Sequence, residues 1–287
     1  MNSALKKNHA RLAIGTASRL RAEMGYQPWD SVCPYDIILE KSIELRFLGM
    51  RSMEGAYIQK GKAKAIIVSA LRPYGRQLFT AAHELGHEIF DHGTMIDDVT
   101  ELDKFDKRDP REFLADSFAS ALLMPQSLVE RVFTSQGYSL ENPSPIHCYL
   151  ASGIIGVGYT TLVSYLQYSL RTISPELGQV LRRKTPAAIR NLIVGEVCPQ
   201  NIFSVNESWM GRPVDLQLGD YIMTNHPLNC DSSYLSSSHR LLGGEFIYEA
   251  MRPGTTICSA ESTGWNSLLR ISSARFEGWY GNKYEEV

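Results

Sequence analysis

Two histidines one helical turn apart, His83 and His87, are the residues of this sequence best suited to hold a metal ion. They lie in the segment TAAHELGHEIFDHG, and Glu84 directly follows the first of them. On a helix each residue advances by about 100°, so the two imidazoles lie about 40° apart around the axis. Two imidazoles at this spacing can share one tetrahedral zinc ion, and the glutamate can reach a water molecule beside it. The pattern predicts a catalytic metal centre.

Such a centre needs a third protein ligand, and the sequence offers three candidates. The first is a histidine placed as in the metzincins. His92 lies nine residues after His83 instead of ten, and Phe90 stands where a metzincin has glycine. The metzincin arrangement is therefore excluded, and His92 is interpreted as a surface or helix-end histidine. The second candidate is the acidic segment 97–106, whose carboxylates are more simply explained as solvated surface groups.

The third candidate is an acidic pair in the segment REFLADSFASALLM. Glu112 and Asp116 are four residues apart, so they share one helix face, and the small Ala115 beside them allows a close helix approach. Glu-x-x-x-Asp is the gluzincin arrangement, in which the glutamate is a ligand and the aspartate accepts a hydrogen bond from a ligand histidine. That bond orients the ring and makes it a better ligand. Mixed ligation favours Zn²⁺ and leaves Mn²⁺ or iron open.

The segments around these residues predict an α+β fold. Helices are predicted over about residues 4–24, after Pro34, over about 77–91, and from an N-cap at Asp109. The alternating run IELRFLG predicts a strand, and GAYIQKGKAKAIIVSA predicts a hairpin with Ala63–Ala70 as its second arm. An extended substrate is expected to lie as an added strand beside this second arm.

After about residue 140 the chain changes character twice. Residues 141–195 predict helices with a helix-turn-helix rhythm, and residues 196–287 carry short apolar runs between Gly, Ser, Asn and Pro, a pattern typical of a β-rich domain. Together with a metal-binding domain over residues 1–140, these segments predict three domains. The metal ligands and the whole core of the first domain are expected upstream of Gly195.

Composition limits the classes of function. The chain has 287 residues and a formal net charge of −2, which predicts neither nucleic acid nor a membrane as partner. No window approaches the roughly 18 apolar residues of a membrane span, and no signal peptide is predicted. Five scattered cysteines, with no C-x-x-C spacing, argue against a disulfide framework. These features predict a cytoplasmic protein with free thiols.

The run GAYIQKGKAKAIIVSALRPYGRQLFTAAHELGHEIFDH, followed by REFLADSFASALLMP, resembles the ImmA/IrrE metallopeptidases over about residues 30–135. The resemblance implies a zincin-like domain with these site residues: metal ligands His83, His87 and Glu112, catalytic base Glu84 and an outer Asp116. It also implies an endopeptidase that makes one cut in a helix-turn-helix repressor, which relieves repression of DNA-damage, mobile-element or phage-defence genes. Longer IrrE-like members end in a GAF-like sensor, so such a domain is expected here.

Two other classes of function stay open. A DNA-binding regulator would use the basic residues between 144 and 190, which are Arg171, Arg182, Arg183, Lys184 and Arg190. The predicted recognition helix YTTLVSYLQYSL, however, has no Arg or Lys, the residues that usually contact bases and phosphates, so direct DNA binding is not expected. The other alternative is a non-catalytic protein-binding module on a zincin fold, which would have no need of Glu84.

Overall fold

A computed structural model describes residues 3–98, 109–206, 209, 213–237, 239–241 and 243–285. Its helices are α1 (Ser3–Glu23), α2 (Pro34–Glu40), α3 (Tyr74–Ile89), α4 (Pro110–Leu123), α5 (Gln126–Ser135), α6 (Pro145–Ile155), α7 (Tyr159–Ser164), α8 (Pro175–Arg182) and α9 (Pro186–Val194). A π-helical stretch, Tyr165–Leu170, continues α7, and a 3₁₀ turn, Tyr280–Asn282, lies near the end of the chain.

The strands belong to three sheets and, with the helices, confirm the predicted α+β class. They are β1 (Glu44–Leu48), β2 (Met53–Lys60), β3 (Ala63–Ser69), β4 (Met95–Asp98), β5 (Ile202–Ser204), β6 (Val214–Gln217), β7 (Tyr221–Thr224), β8 (His239–Arg240), β9 (Phe246–Glu249), β10 (Gly254–Ala260), β11 (Trp265–Ser272) and β12 (Gly278–Trp279).

The chain divides into two compact units. Unit 1 consists of Met1–Gly137 with two later pieces, Ile155–Thr161 and Glu277–Tyr280, and unit 2 consists of the remaining three segments. The first predicted boundary, at residue 140, lies close to the end of the main segment of unit 1. The division of the chain into three domains stays a prediction.

Unit 1 contains a five-stranded sheet in the order β12-β1-β3-β2-β4. β1 and β3 are parallel, and the other neighbouring strands are antiparallel. The predicted hairpin of β2 and β3 is confirmed, and Gly61 adopts the left-handed conformation (φ 61°) that its tight turn requires. The alternating apolar residues of β1, Leu45 and Phe47, are buried as an alternating strand predicts.

The prediction that β3 offers a free edge to a substrate is wrong. β3 is paired with β1 on one side and with β2 on the other, so both of its rows of backbone groups are already hydrogen-bonded within the sheet. A strand that is covered by neighbours favours a continuous run of apolar residues. The β-branched run within Ala63–Ala70 is therefore typical of a central strand. The outer strands of this sheet, as described, are β4 and β12.

The two helices predicted to carry the site form close to their expected bounds. α3 begins at Tyr74, three residues before the predicted start, directly after Pro73. In α4 the predicted N-cap is confirmed, since the Asp109 side chain accepts a hydrogen bond from the backbone N–H of Arg111 at 2.8 Å. The last turn of α4 is held by α1, where the buried Arg21 donates to the carbonyl of Leu122 at 2.7 Å.

The expectation that the core of unit 1 lies entirely upstream of Gly195 is also wrong. β12 pairs with β1 in antiparallel register, and the carboxylate of Glu277 accepts a hydrogen bond from the N–H of Gly49 at 2.9 Å. Tyr280 is buried and packs on the rings of Tyr35 and Phe47, with centroid distances of 5.3 and 6.3 Å. A chain that ended near Gly195 would lack this strand and this aromatic ring.

Unit 2 contains two small sheets, in the orders β5-β7-β9-β8 and β10-β11-β6. Its strands lie between residues 202 and 272, within the segment whose short apolar runs predicted strands. No single described helix is long and apolar enough to cross a membrane. Pro145–Ile155 and Tyr159–Leu170 reach that length and hydropathy only as a pair, and they are bent by 106° at the break between them.

Candidate metal centre

The two histidines of α3 direct their Nε2 atoms at each other, 2.9 Å apart. Both side chains are buried, as expected for the inner face of a helix that packs between a sheet and a second helix. The i, i+4 spacing places one ring directly above the other, with centroids 4.7 Å apart. The helix therefore presents two imidazole nitrogens to one point, as the sequence predicts.

Glu112 of α4 completes a triangle of donor atoms. Its Oε2 lies 3.2 Å from Nε2 of His83, and its Oε1 lies 3.6 Å from Nε2 of His87. The three side chains offer ligand atoms that all lie within 4.8 Å of one another, in a grouping that could hold a metal ion. The structure thus brings together the three residues predicted as ligands. α3 supplies the two histidines, and the neighbouring α4 supplies the carboxylate.

Small residues let the two helices approach closely enough for this triangle. A methyl group at Gly86 would lie 3.1 Å from a ring carbon of Phe118 and 3.2 Å from Cα of Ala115, closer than most contacts of real side chains. Ala115 was expected to allow such an approach, and Gly86 is its counterpart on α3. A larger residue at either position would push α4, and Glu112 with it, away from the histidines.

The donor set fits a divalent cation. In a tetrahedral zinc site with bonds of about 2.0–2.2 Å, neighbouring ligand atoms lie about 3.3–3.6 Å apart. The three separations here, 2.9, 3.2 and 3.6 Å, lie close to that range. Two imidazoles and one carboxylate are also the ligand types found in catalytic zinc sites. His83, His87 and Glu112 therefore match such an ion in atom type and in spacing.

The electrostatics of the triangle favour positive charge at its centre. Burial lowers the pKa of His83, but hydrogen bonds to Asp116 and Glu112, together with the negative charges of Asp116 and Glu84, hold that pKa well above its ordinary value. Burial raises the pKa of Glu112, but the hydrogen bonds to His83 and His87, together with the charge interactions with both rings, hold its pKa far below the usual range. A cation held between the three side chains would supply the positive charge that this site favours.

The outward-facing nitrogen of each ligand ring has its own partner. Nδ1 of His83 lies 2.9 Å from Oδ1 of Asp116, and Nδ1 of His87 lies 2.9 Å from Nδ1 of His92. When Nε2 of a neutral imidazole binds a metal, Nδ1 carries the proton and donates it. Asp116 is then the acceptor for His83, as predicted, and His92 is the acceptor for His87.

His92 is the site residue whose place the sequence did not predict. The chain leaves α3 and turns back through Asp91, whose left-handed conformation (φ 52°) brings the His92 ring against His87. Phe90 stacks on the His92 ring at 5.9 Å and packs edge-on against Phe118. Burial, reinforced by nearby positive charge, lowers the pKa of His92 to about 4, so its ring is neutral and has a nitrogen able to accept.

Glu84 lies on the side of α3 that faces the sheet. Its side chain is fully buried, and it contacts β2 at Gly55. A methyl group at Gly55 would lie 2.4 Å from Cγ2 of Thr80 and 2.7 Å from Oε1 of Glu84, so only glycine fits between the strand and this helix. β2 therefore fixes the carboxylate one residue along the helix from the ligand His83.

The acidic segment considered as an alternative source of the third ligand is described only in part. Asp97 and Asp98 form the end of β4, and the rest of the segment lies outside the described residues. Within the described part of the chain, Glu112 is the carboxylate grouped with the two histidines.

Comparison with known families gives one match. Residues 40–170 match the model of the IrrE N-terminal-like domain of peptidase family M78. No curated protein sequence matches the chain. The matched range contains the HExxH helix, Glu112 and Asp116, so it covers the whole triangle of donor atoms and both of its outer partners. Over these residues the chain is similar to the IrrE N-terminal-like domain of this metallopeptidase family.

Proposed function

We propose that this chain is a metal-dependent endopeptidase that makes a limited cut in a helix-turn-helix repressor. The observation that supports the chemistry is the convergence of His83, His87 and Glu112 beside the buried carboxylate of Glu84. Relief of repression of stress, mobile-element or phage-defence genes would follow from the cut. A repressor substrate places the reaction in the cytoplasm.

The ligand triangle would hold one divalent ion, with Zn²⁺ favoured over Mn²⁺ by the mixed ligation. When bound, the ion would supply Lewis-acid activation of a water molecule and of the substrate carbonyl. Asp116 and His92 hold the two ligand rings in the required orientation through Nδ1. Glu112 adds the negative charge that offsets part of the charge of the cation.

Glu84 is proposed as the general base. A carboxylate next to the first ligand histidine can take the proton of the attacking water and then pass it to the leaving amine. Gly55 of β2 lies directly beside the Glu84 carboxylate, so the strand limits the space in which the acceptor oxygen can move. A protein-binding module would need neither this carboxylate nor its placement, so the non-catalytic alternative is not favoured.

The substrate is proposed to bind as an extended strand at the outer edge of β4. β4 pairs with β2, and β2 carries Gly55 against Glu84, so this edge of the sheet is the one on the side of the base. Main-chain pairing holds a peptide with little sequence selectivity. A cut at a single site would therefore need a second docking contact, which we assign to unit 2, with its proposed helix-turn-helix-like and GAF-like parts.

A role in direct DNA binding has less support. Of the basic residues in the helical segment, Arg190 already donates to the carbonyls of Cys198 and Pro199, at 3.1 and 2.9 Å. Arg182 lies over the ring of Tyr168 at 5.7 Å. Two members of the basic cluster are thus engaged within unit 2.

The proposed function is tested by expressing this chain together with the helix-turn-helix repressor whose gene lies next to the gene of the chain. We expect the repressor to be cut at one bond in cells exposed to DNA damage, as seen by immunoblot and intact mass. The Glu84→Gln variant is the matched control and should leave the repressor whole. A repressor that stays intact with the wild-type chain, with and without damage, would contradict the assigned substrate.

A further inference from the structure

A pair of cysteines in unit 2 lies at directly opposed positions of two antiparallel segments. Asn229 and Ser259 exchange both backbone hydrogen bonds, at 2.8 and 2.9 Å, and form an isolated antiparallel bridge at the end of β10. The residues one step inward, Cys230 and Cys258, therefore form the adjacent non-hydrogen-bonded pair. Cα atoms in such pairs lie about 4.5 Å apart, within the range of about 4.4–6.8 Å that a disulfide requires.

The two thiols face each other and differ in exposure. Their side chains are hydrogen-bonded to one another, and the Thr256 hydroxyl also bonds to Cys230. Cys258 is buried, whereas Cys230 is partly exposed to solvent. An oxidant in solution can therefore reach Cys230, whereas Cys258 is shielded from solvent and its thiol contacts that of Cys230.

The same contacts divide the chemical roles. The hydrogen bond from Cys258 lowers the pKa of Cys230, against the effect of burial. The same hydrogen bond, together with burial, raises the pKa of Cys258. Since the thiolate is the reactive form of cysteine, the accessible thiol is also the more nucleophilic one.

We propose that Cys230 and Cys258 are a redox-active dithiol that a peroxide converts into a disulfide. The Cys230 thiolate attacks one oxygen of hydrogen peroxide and breaks the O–O bond, which gives a sulfenic acid and, after protonation, one water. The Cys258 sulfur then attacks the Cys230 sulfur, its proton leaves, and the C–S–OH oxygen departs as a second water. Two thiols are thus oxidised by two electrons, and one peroxide is reduced to two waters.

The other cysteines supply controls in different surroundings. Burial raises the pKa of Cys148 to about 12, so this thiol is unreactive at neutral pH. Cys198 is buried, and its sulfur donates to the carbonyl of Gln200 at 3.5 Å. Cys33 in unit 1 is partly exposed, as Cys230 is, and serves as the matched control for accessibility.

The test uses the reduced full-length chain, treated with a small excess of hydrogen peroxide, blocked with an alkylating reagent and cut after glutamate. Each of the five cysteines then falls in a different fragment; Cys230 lies in 208–245 and Cys258 in 250–261. We expect these two fragments to be joined, with the mass of the joined species lower by about two hydrogens, and to separate on reduction. The fragments of Cys33, Cys148 and Cys198 should stay alkylated.

Two variants separate the proposed roles. In Cys258→Ser the oxidation should stop at a sulfenic acid on Cys230, which a dimedone probe labels. In Cys230→Ser the buried Cys258 should stay reduced, and Cys33→Ser should behave as the wild type. The proposal is overturned if Cys230 in the wild type reacts no faster than Cys33, or if it proceeds to sulfinic acid without joining 250–261.

Discussion

The two ligand histidines are held by unlike outer partners. On the α4 side, His83 bonds to the carboxylate of Asp116, whose side chain is 62% exposed. On the other side, His87 bonds to the ring of His92, which is neutral, partly buried and stacked on Phe90. The distances are equal at 2.9 Å, but one contact brings a negative charge and the other does not.

This difference separates two contributions of an outer partner. Both partners orient a ring, because each accepts the hydrogen bond of Nδ1. Only the carboxylate also makes its imidazole more basic, and solvent screens part of that effect because Asp116 is largely exposed. We infer that orientation is provided on both sides of the site and charge on one.

Removal of a ligand should have a larger effect than removal of either partner. Glu112→Ala leaves two imidazoles and deletes the charge that offsets the cation, so we expect metal binding to be lost at micromolar concentrations. Elemental analysis after gel filtration measures this. Glu112→Ala protein that keeps a full complement of metal would move the third ligand elsewhere.

Loss of the charged partner should come next. Asp116→Ala removes both the acceptor and the charge, and changes of this kind typically weaken metal affinity about 10–100-fold. Because of its exposure we expect a value toward the lower end of that range. Competition with a chromophoric chelator at pH 7.5 gives the affinity. An effect larger than that of Glu112→Ala would make Asp116 the ligand and Glu112 its support.

Loss of the neutral partner should have a smaller effect. His92→Ala removes an acceptor without removing charge, so we expect metal affinity to fall by about tenfold or less. The stacking contact with Phe90 is also lost, so circular dichroism and thermal unfolding should accompany the titration. If His92→Ala weakens binding more than Asp116→Ala does, the charge of Asp116 adds nothing to the effect of orienting the ring.

The smallest effect is expected from Asp116→Asn, which makes the two sides alike. The amide keeps an acceptor oxygen for Nδ1 of His83 and removes only the charge. We expect the metal affinity to fall a few-fold, less than in Asp116→Ala, and the ratio of the two variants measures orientation alone. An Asn variant as weak as the Ala variant would show that the carboxylate acts through its charge only.

The ligand triangle was predictable because its geometry is local. The spacing of His83 and His87 fixes their relative direction on one helix, and the spacing of Glu112 and Asp116 does the same on the next. Small residues at the helix contact, Ala115 among them, indicated that the two helices could meet. Beyond these local patterns, the triangle requires only one long-range contact, the packing of these two helix faces against each other.

The features that sequence reasoning missed depend on contacts without a local pattern. The role of His92 follows from the left-handed backbone at Asp91, which ordinary residues adopt only rarely. The central place of β3 depends on its parallel pairing with β1, which the sequence pattern of the two strands does not specify. The other edge of β1 is covered by β12, which joins the sheet from more than two hundred residues away. Tyr280 enters the core by the same pairing, and its surrounding sequence has no periodicity that predicts this.

The most direct test of the account compares metal content and proteolysis in the same preparations of the wild type and Glu84→Gln. This substitution keeps the shape of the side chain and removes its basicity. We expect about one divalent ion per chain in both proteins. Only the wild type should cleave the repressor, and a chelator should abolish this cleavage until Zn²⁺ is added back. A wild type without a bound divalent ion, or a Glu84→Gln variant that cleaves as fast as the wild type, would contradict the account.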